Sequence, residues 1–148
     1  MDIFAALRES HERQRQYADA LIETQGASEE RQRLYRQLRA ELAAHETAEE
    51  RYFYVPLMQH DAGMDLSRHA IAEHHQMDEM VEALDDTDMS SSHWLIRARE
   101  LRDKVHHHLK EEEQRFFQMA GKILTDQQKQ QLAGRYLSDF DQELERHQ

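Results

Sequence analysis

Two short stretches decide how this chain reads: His45-Glu-Thr-Ala-Glu49-Glu50 and His108-Leu-Lys-Glu-Glu112-Glu113. Each lies in a long segment of helical periodicity, where a His and a Glu four residues apart sit one turn apart on one face. An imidazole nitrogen and a carboxylate oxygen then meet at one point beside the helix, a half-site for a metal ion that takes N and O ligands. Two half-sites suggest a metal centre between helices.

The pair alone is a weak signal. Eleven His and eighteen Glu in 148 residues predict about one His-x-x-x-Glu by composition. Five occur: His45/Glu49, His69/Glu73, His75/Glu79, His107/Glu111 and His108/Glu112. An internal repeat selects among them. At an offset of 63 the halves align without a gap, placing His11 on His74, His45 on His108, Glu49 on Glu112, Glu50 on Glu113 and Phe53 on Phe116. Under that offset His75 meets Glu12, His107 meets Ala44 and His69 meets Ala6, so these three find no histidine counterpart. The helical wheel agrees. His108 has Leu101, Val105 and Glu112 for neighbours, whereas His107 has Glu100, Asp103, Lys104 and Glu111. The repeat therefore brings four His and two Glu into one core. Burying six polar groups there is costly without a partner, and metal ions supply one.

The rest of the chain supports an all-α fold. Four Gly and one Pro leave little turn chemistry for strands. Helices are expected from Ile3 to about Glu23, from about Glu29 to Tyr54, from Ser67 to about Leu84 and from about His93 to Lys122, with a shorter fifth from Asp126 to about Arg146. Gly26 is the expected C-cap of the first, Ser28 caps the second, and Pro56 ends or kinks it. Residues 57–66 read as a loop, with Ser67 capping the next helix. Long helices with short connections predict an up-down-up-down four-helix bundle over about 3–123, with the accessory helix packed outside it, all in one domain spanning 1–148.

Composition narrows the function. No cysteine means no disulfide, thiolate metal site or thiol catalysis. A formal charge of −11 argues against nucleic acid or anionic lipid as the main partner. No apolar run reaches membrane-spanning length, and MDIFAALRES lacks the basic start and apolar core of a signal peptide, so the expected location is the cytoplasm. His60, His69, His93 and His147 are expected at the surface. Tyr52 falls on the ligand face, where a packing role is preferred to a hydrogen bond at the centre. Glu46 is expected to be exposed.

The pieces SHER, HETAEERYFYVPL, EHHQMDEM and HLKEEEQRFF, in the order H…HxxxE…H…HxxxE, resemble the hemerythrin-like HHE cation-binding family across residues 3–123. The resemblance implies a non-haem di-iron centre inside the bundle, with manganese or zinc as lesser alternatives. It makes His11, His45, His74 and His108 terminal ligands, and Glu49 and Glu112 carboxylate bridges beside an oxo or hydroxo group. Oxygen-carrying hemerythrins have a further His one turn after the third-helix ligand. Here that position is Asp78, a candidate extra ligand, and the matching place after His11 is Arg15. The implied function is binding of O2, NO or peroxide for sensing, storage or carriage, served by an unidentified electron donor. The alternatives are a di-iron peroxidase, oxidase or NO-detoxifying enzyme, or an iron-handling stress-repair protein. No substrate-recognition loop or nucleophile arrangement is visible, so binding ranks first. Iron–sulfur repair relatives carry a cysteine-bearing segment that this sequence lacks, which weighs against the last.

Overall fold

A computed structural model describes all 148 residues. The chain is helical throughout, without strands. Helix α1 spans Ile3–Leu21 and α2 Glu29–Glu49. A π-helical turn, Glu50–Tyr54, and the single turn α3, Val55–Leu57, continue α2. Helix α4 runs Asp61–Asp85 and α5 Ser92–Glu111. A second π-helical turn, Glu112–Phe116, leads into α6, Phe117–Ile123, and α7 spans Asp126–His147.

Local chemistry explains the starts. Asp2, Ser28, Ser91 and Thr125 each accept a backbone N–H of the first turn, and Thr125 with Gln128 forms a reciprocal capping box. Three expectations need correction. Gly26 does not cap α1, which ends at Leu21. Gly26 lies further on, in the connecting turn, with φ +57°, a backbone conformation that glycine tolerates. The loop expected over 57–66 is mostly helix, because α4 begins at Asp61 after extended His60. Ser67 is therefore buried within α4 and is not its cap. Gly63 makes this start possible, since a Cβ there would collide with the Leu57 carbonyl oxygen. Pro56 falls in the last turn of its helix, which ends at Leu57; Met58 is still in the helical region and the chain becomes extended at His60.

Helices α1, α2, α4 and α5 form the bundle, with α1 against α2 and α5, and α4 against α5. Helix α7 lies along α1 and α2. The core is divided in two. One apolar cluster gathers Leu7, Phe53, Leu57, Phe116, Phe117, Tyr136 and Phe140. The other gathers Leu21, Leu38, Leu42, Met77, Trp94, Leu101 and Val105. The polar layer containing His11, His45, His74 and His108 lies where the two clusters meet, with Leu7, Phe53, Ala70 and Phe116 towards one end and Leu21, Leu38, Met77 and Val105 towards the other.

Candidate metal centre

All six residues selected by the repeat converge in that layer, and all are buried. His11, His45, Glu49 and Glu112 present donor atoms within 4.8 Å of one another, and so do Glu49, His74 and His108, with Glu49 common to both groups. The repeat holds in three dimensions. The rings of His11 and His45 are 5.0 Å apart at 70°, and those of His74 and His108 are 4.9 Å apart at 66°. The Nε2 atoms of His11, His45 and His74 lie 3.3, 3.1 and 3.2 Å from carboxylate oxygens of Glu112, Glu49 and Glu49.

The outer nitrogens explain the orientation. Each Nδ1 meets an oxygen: His11 that of Glu113 at 2.6 Å, His45 that of Tyr136 at 2.7 Å, His74 that of Glu50 at 2.9 Å, and His108 that of Glu73 at 2.8 Å. A histidine whose Nε2 lone pair faces a metal keeps its proton on Nδ1, and that N–H donates to these oxygens. Glu113 and Glu50 are related by the same offset of 63. Arg15, one turn after His11, braces Glu113 at 2.7 Å. Asp78 is exposed and belongs to neither group of converging donors.

Tyr54 reaches the centre, and Tyr52, partly buried against the apolar core, does not. The reason is the π turn, in which Val55 donates its amide to Glu50, five residues back. That spacing puts residues i and i+5 on one face. The Tyr54 hydroxyl therefore lies within hydrogen-bond reach of Glu49, at 2.8 Å, and of Glu112, with one proton to donate between them. The second π turn places Phe117 five residues after Glu112, where it stacks on His11 at 5.9 Å. Glu46, expected at the surface, is buried beside Asp78 with Oε1 unpaired.

Sequence reasoning missed Tyr136, Glu73 and Tyr54 as neighbours of the ligand set. Glu73 carries a signal. Like Glu50 and Glu113 it adjoins a candidate ligand, and each of the three reaches a histidine on another helix. Tyr136 carries none, because it lies outside the repeat.

Electrostatics reflect six polar groups without a cation. Burial works against the imidazolium of His11, but the hydrogen bonds it donates to Glu112 and Glu113 overcome this and raise its pKa to about 9. His74 is likewise raised, against burial, by Glu49 and Glu50. Burial dominates at His45 and His108 and lowers both. Burial, reinforced by the charge of Glu49, pushes the Glu112 carboxyl up to about 8. Burial also works to raise Glu49, but the surrounding histidines hold it well below the usual carboxylate range. Buried and unpaired polar atoms remain at His11 Nε2, His45 Nε2, His108 Nε2, Glu49 Oε2 and Glu112 Oε1. Such orphans are expensive in a protein interior, and all five belong to residues of the two converging donor groups, so the residues fit cations.

Comparison with known proteins agrees. Residues 2–120 match the hemerythrin HHE cation binding domain. No curated protein sequence matches the chain. The crystal structure of a hemerythrin HHE cation binding domain-containing protein from Mycobacterium kansasii is similar, with a TM-score of 0.89 at 23% identity, over 99% of this chain and 89% of that one. At that identity the likeness concerns the fold. With the family match covering most of its length, the chain belongs to the hemerythrin HHE cation-binding domain family.

Proposed function

We propose that the protein is a non-haem di-iron protein that binds O2 or a related diatomic or peroxide ligand, for sensing, storage or carriage. One observation carries the reading: four histidines, each anchored through Nδ1, turn unpaired or carboxylate-facing Nε2 atoms onto Glu49 and Glu112. His11 and His45 would hold one ion, His74 and His108 the other, with Glu49 and Glu112 shared between them. Hard carboxylates with imidazoles, and no thiolate, suit iron. When bound, such a pair supplies reversible electron transfer to a small ligand.

The remaining roles belong to the chain. Phe53, Phe116, Phe117, Val105 and Leu109 exclude bulk water. Tyr54 orients both carboxylates and keeps a proton at the centre of the site. The cleft that borders His108 and Glu112 has a free volume of about 10 Å³. That is room for about one water, a size that suits a diatomic ligand.

Metal analysis with an optical spectrum tests the reading. Two irons per chain with near-ultraviolet charge-transfer bands are expected. One zinc, or no metal after expression in iron-rich medium, overturns it. Mixing the reduced protein with O2 then separates binding from turnover: an oxygenated species that reverts under vacuum marks a binder, and repeated consumption of peroxide marks an enzyme.

A further inference from the structure

A third cluster of metal-ligating side chains lies outside the centre. His69 and Glu73 on α4 face Glu111 on α5, with donor atoms within 4.8 Å of one another. His69 Nε2 is 3.2 Å from Glu111 Oε1 and 3.6 Å from Glu73 Oε1. Bonds of about 2.1 Å at tetrahedral angles give ligand–ligand edges of about 3.4 Å, so these spacings already suit one cation.

The internal repeat does not require this cluster. The offset of 63 places Ala6, Ser10 and Ala48 at the corresponding positions, all of them buried. On that side α7 lies over α1 and α2. The α4/α5 side has no such cover, and there a narrow cleft opens. His69, Glu73, Glu111 and Arg115 line it, and so do His108 and Glu112 of the inner layer. His108 Nε2 and Glu112 Oε1 are buried and unpaired. The cleft thus joins a half-exposed His/Glu cluster to unpaired donor atoms inside. Glu73 belongs to both ends, because the oxygen that faces His69 also accepts from His108 Nδ1 at 2.8 Å.

We propose that His69, Glu73 and Glu111 form an outer station that captures a divalent cation and passes it through this cleft to the buried centre. The proposal rests on the reading of that centre as a metal site. The station binds weakly by construction. Lys104 sits 3.1 Å from Glu73, Arg115 3.8 Å from Glu111, and His107 also engages Glu111 at 3.2 Å. These neighbours compete with a cation, so the ion is handed on and not stored.

Two measurements test it on the full chain. In the first, metal-free protein takes up ferrous iron anaerobically, with aliquots stopped by chelator. The double variant His69→Ala, Glu111→Gln is expected to load about tenfold more slowly and to reach the same final iron content. His75→Ala, an exposed pair partner elsewhere on α4, should load like the unmodified chain. Equal rates in the double variant overturn the proposal. In the second, free Mn2+ is counted by electron paramagnetic resonance as it is added to iron-treated protein. A weak site that the double variant loses, by about tenfold in affinity or more, supports the station. Identical titrations overturn it. The single variant His69→Asn repeats both measurements should the double variant misfold. The Mn2+ titration reads the station even when the core takes up no iron, so the two failures are distinguishable.

Discussion

His107 and His108 are neighbours in sequence with opposite surroundings. The His107 side chain is exposed and pairs with Glu111, whereas His108 is buried, anchored by Glu73 and aimed at the centre. His108→Ala should therefore abolish tight binding of both irons, and His107→Ala should change iron content little, as metal analysis of the purified variants will show. Tyr136→Phe is a finer probe. It keeps the ring and removes the oxygen that His45 Nδ1 meets. Iron affinity should drop about 10- to 100-fold with the helical content unchanged, read by competition against a chelator. At this scale the six converging residues were legible, because helical spacing and the repeat constrain the same positions twice. Tyr136 was not, since a lone tyrosine on an unrepeated helix has no sequence partner to mark it.

At the level of elements, the helices follow from periodicity and caps, and the departures follow from features that periodicity averages away. A π turn alters the facing by a single residue, which a stripe of apolar positions does not register. That single residue brings Tyr54 to the centre and leaves Tyr52 against the apolar core. The early start of α4 depends on a close approach between two backbones, and no local propensity reveals it. Gly63→Ala tests that approach. Alanine in a helix gains up to about 1 kcal/mol over glycine. Here its Cβ would strike the rigid Leu57 carbonyl, and forced overpacking costs about 1–3 kcal/mol. A net loss of stability in chemical denaturation is expected, and a gain would show that the turn yields easily.

For the whole molecule, the polar layer makes metal binding and proton binding compete. Without metal, His11 at about 9, His74 well above its ordinary value and Glu112 at about 8 all hold protons at pH 7. Ligands must shed them, so loading at neutral pH should release about three protons, measurable with an indicator dye in weak buffer. The sign follows. These groups are raised, so their protons are fully held below their pKa values and leave as pH rises through about 8 to 9. Apparent metal affinity should increase with pH across that range and weaken steadily towards acid. Loading without acidification would show that the site holds its protons elsewhere.

Helix α7 has a further consequence, in the order of events and not in the resting structure. It seals the α1/α2 face of a nearly symmetric layer and leaves the α4/α5 face with the cleft. Two half-sites that look equivalent in geometry are then unequal in lability. An ion held by His74 and His108 would lie beside this cleft, whose walls include His108 but neither His11 nor His45, and one held by His11 and His45 would lie behind it. Removal by a small chelator should proceed in two phases of equal amplitude, and a single phase would show that the cleft makes no difference to release.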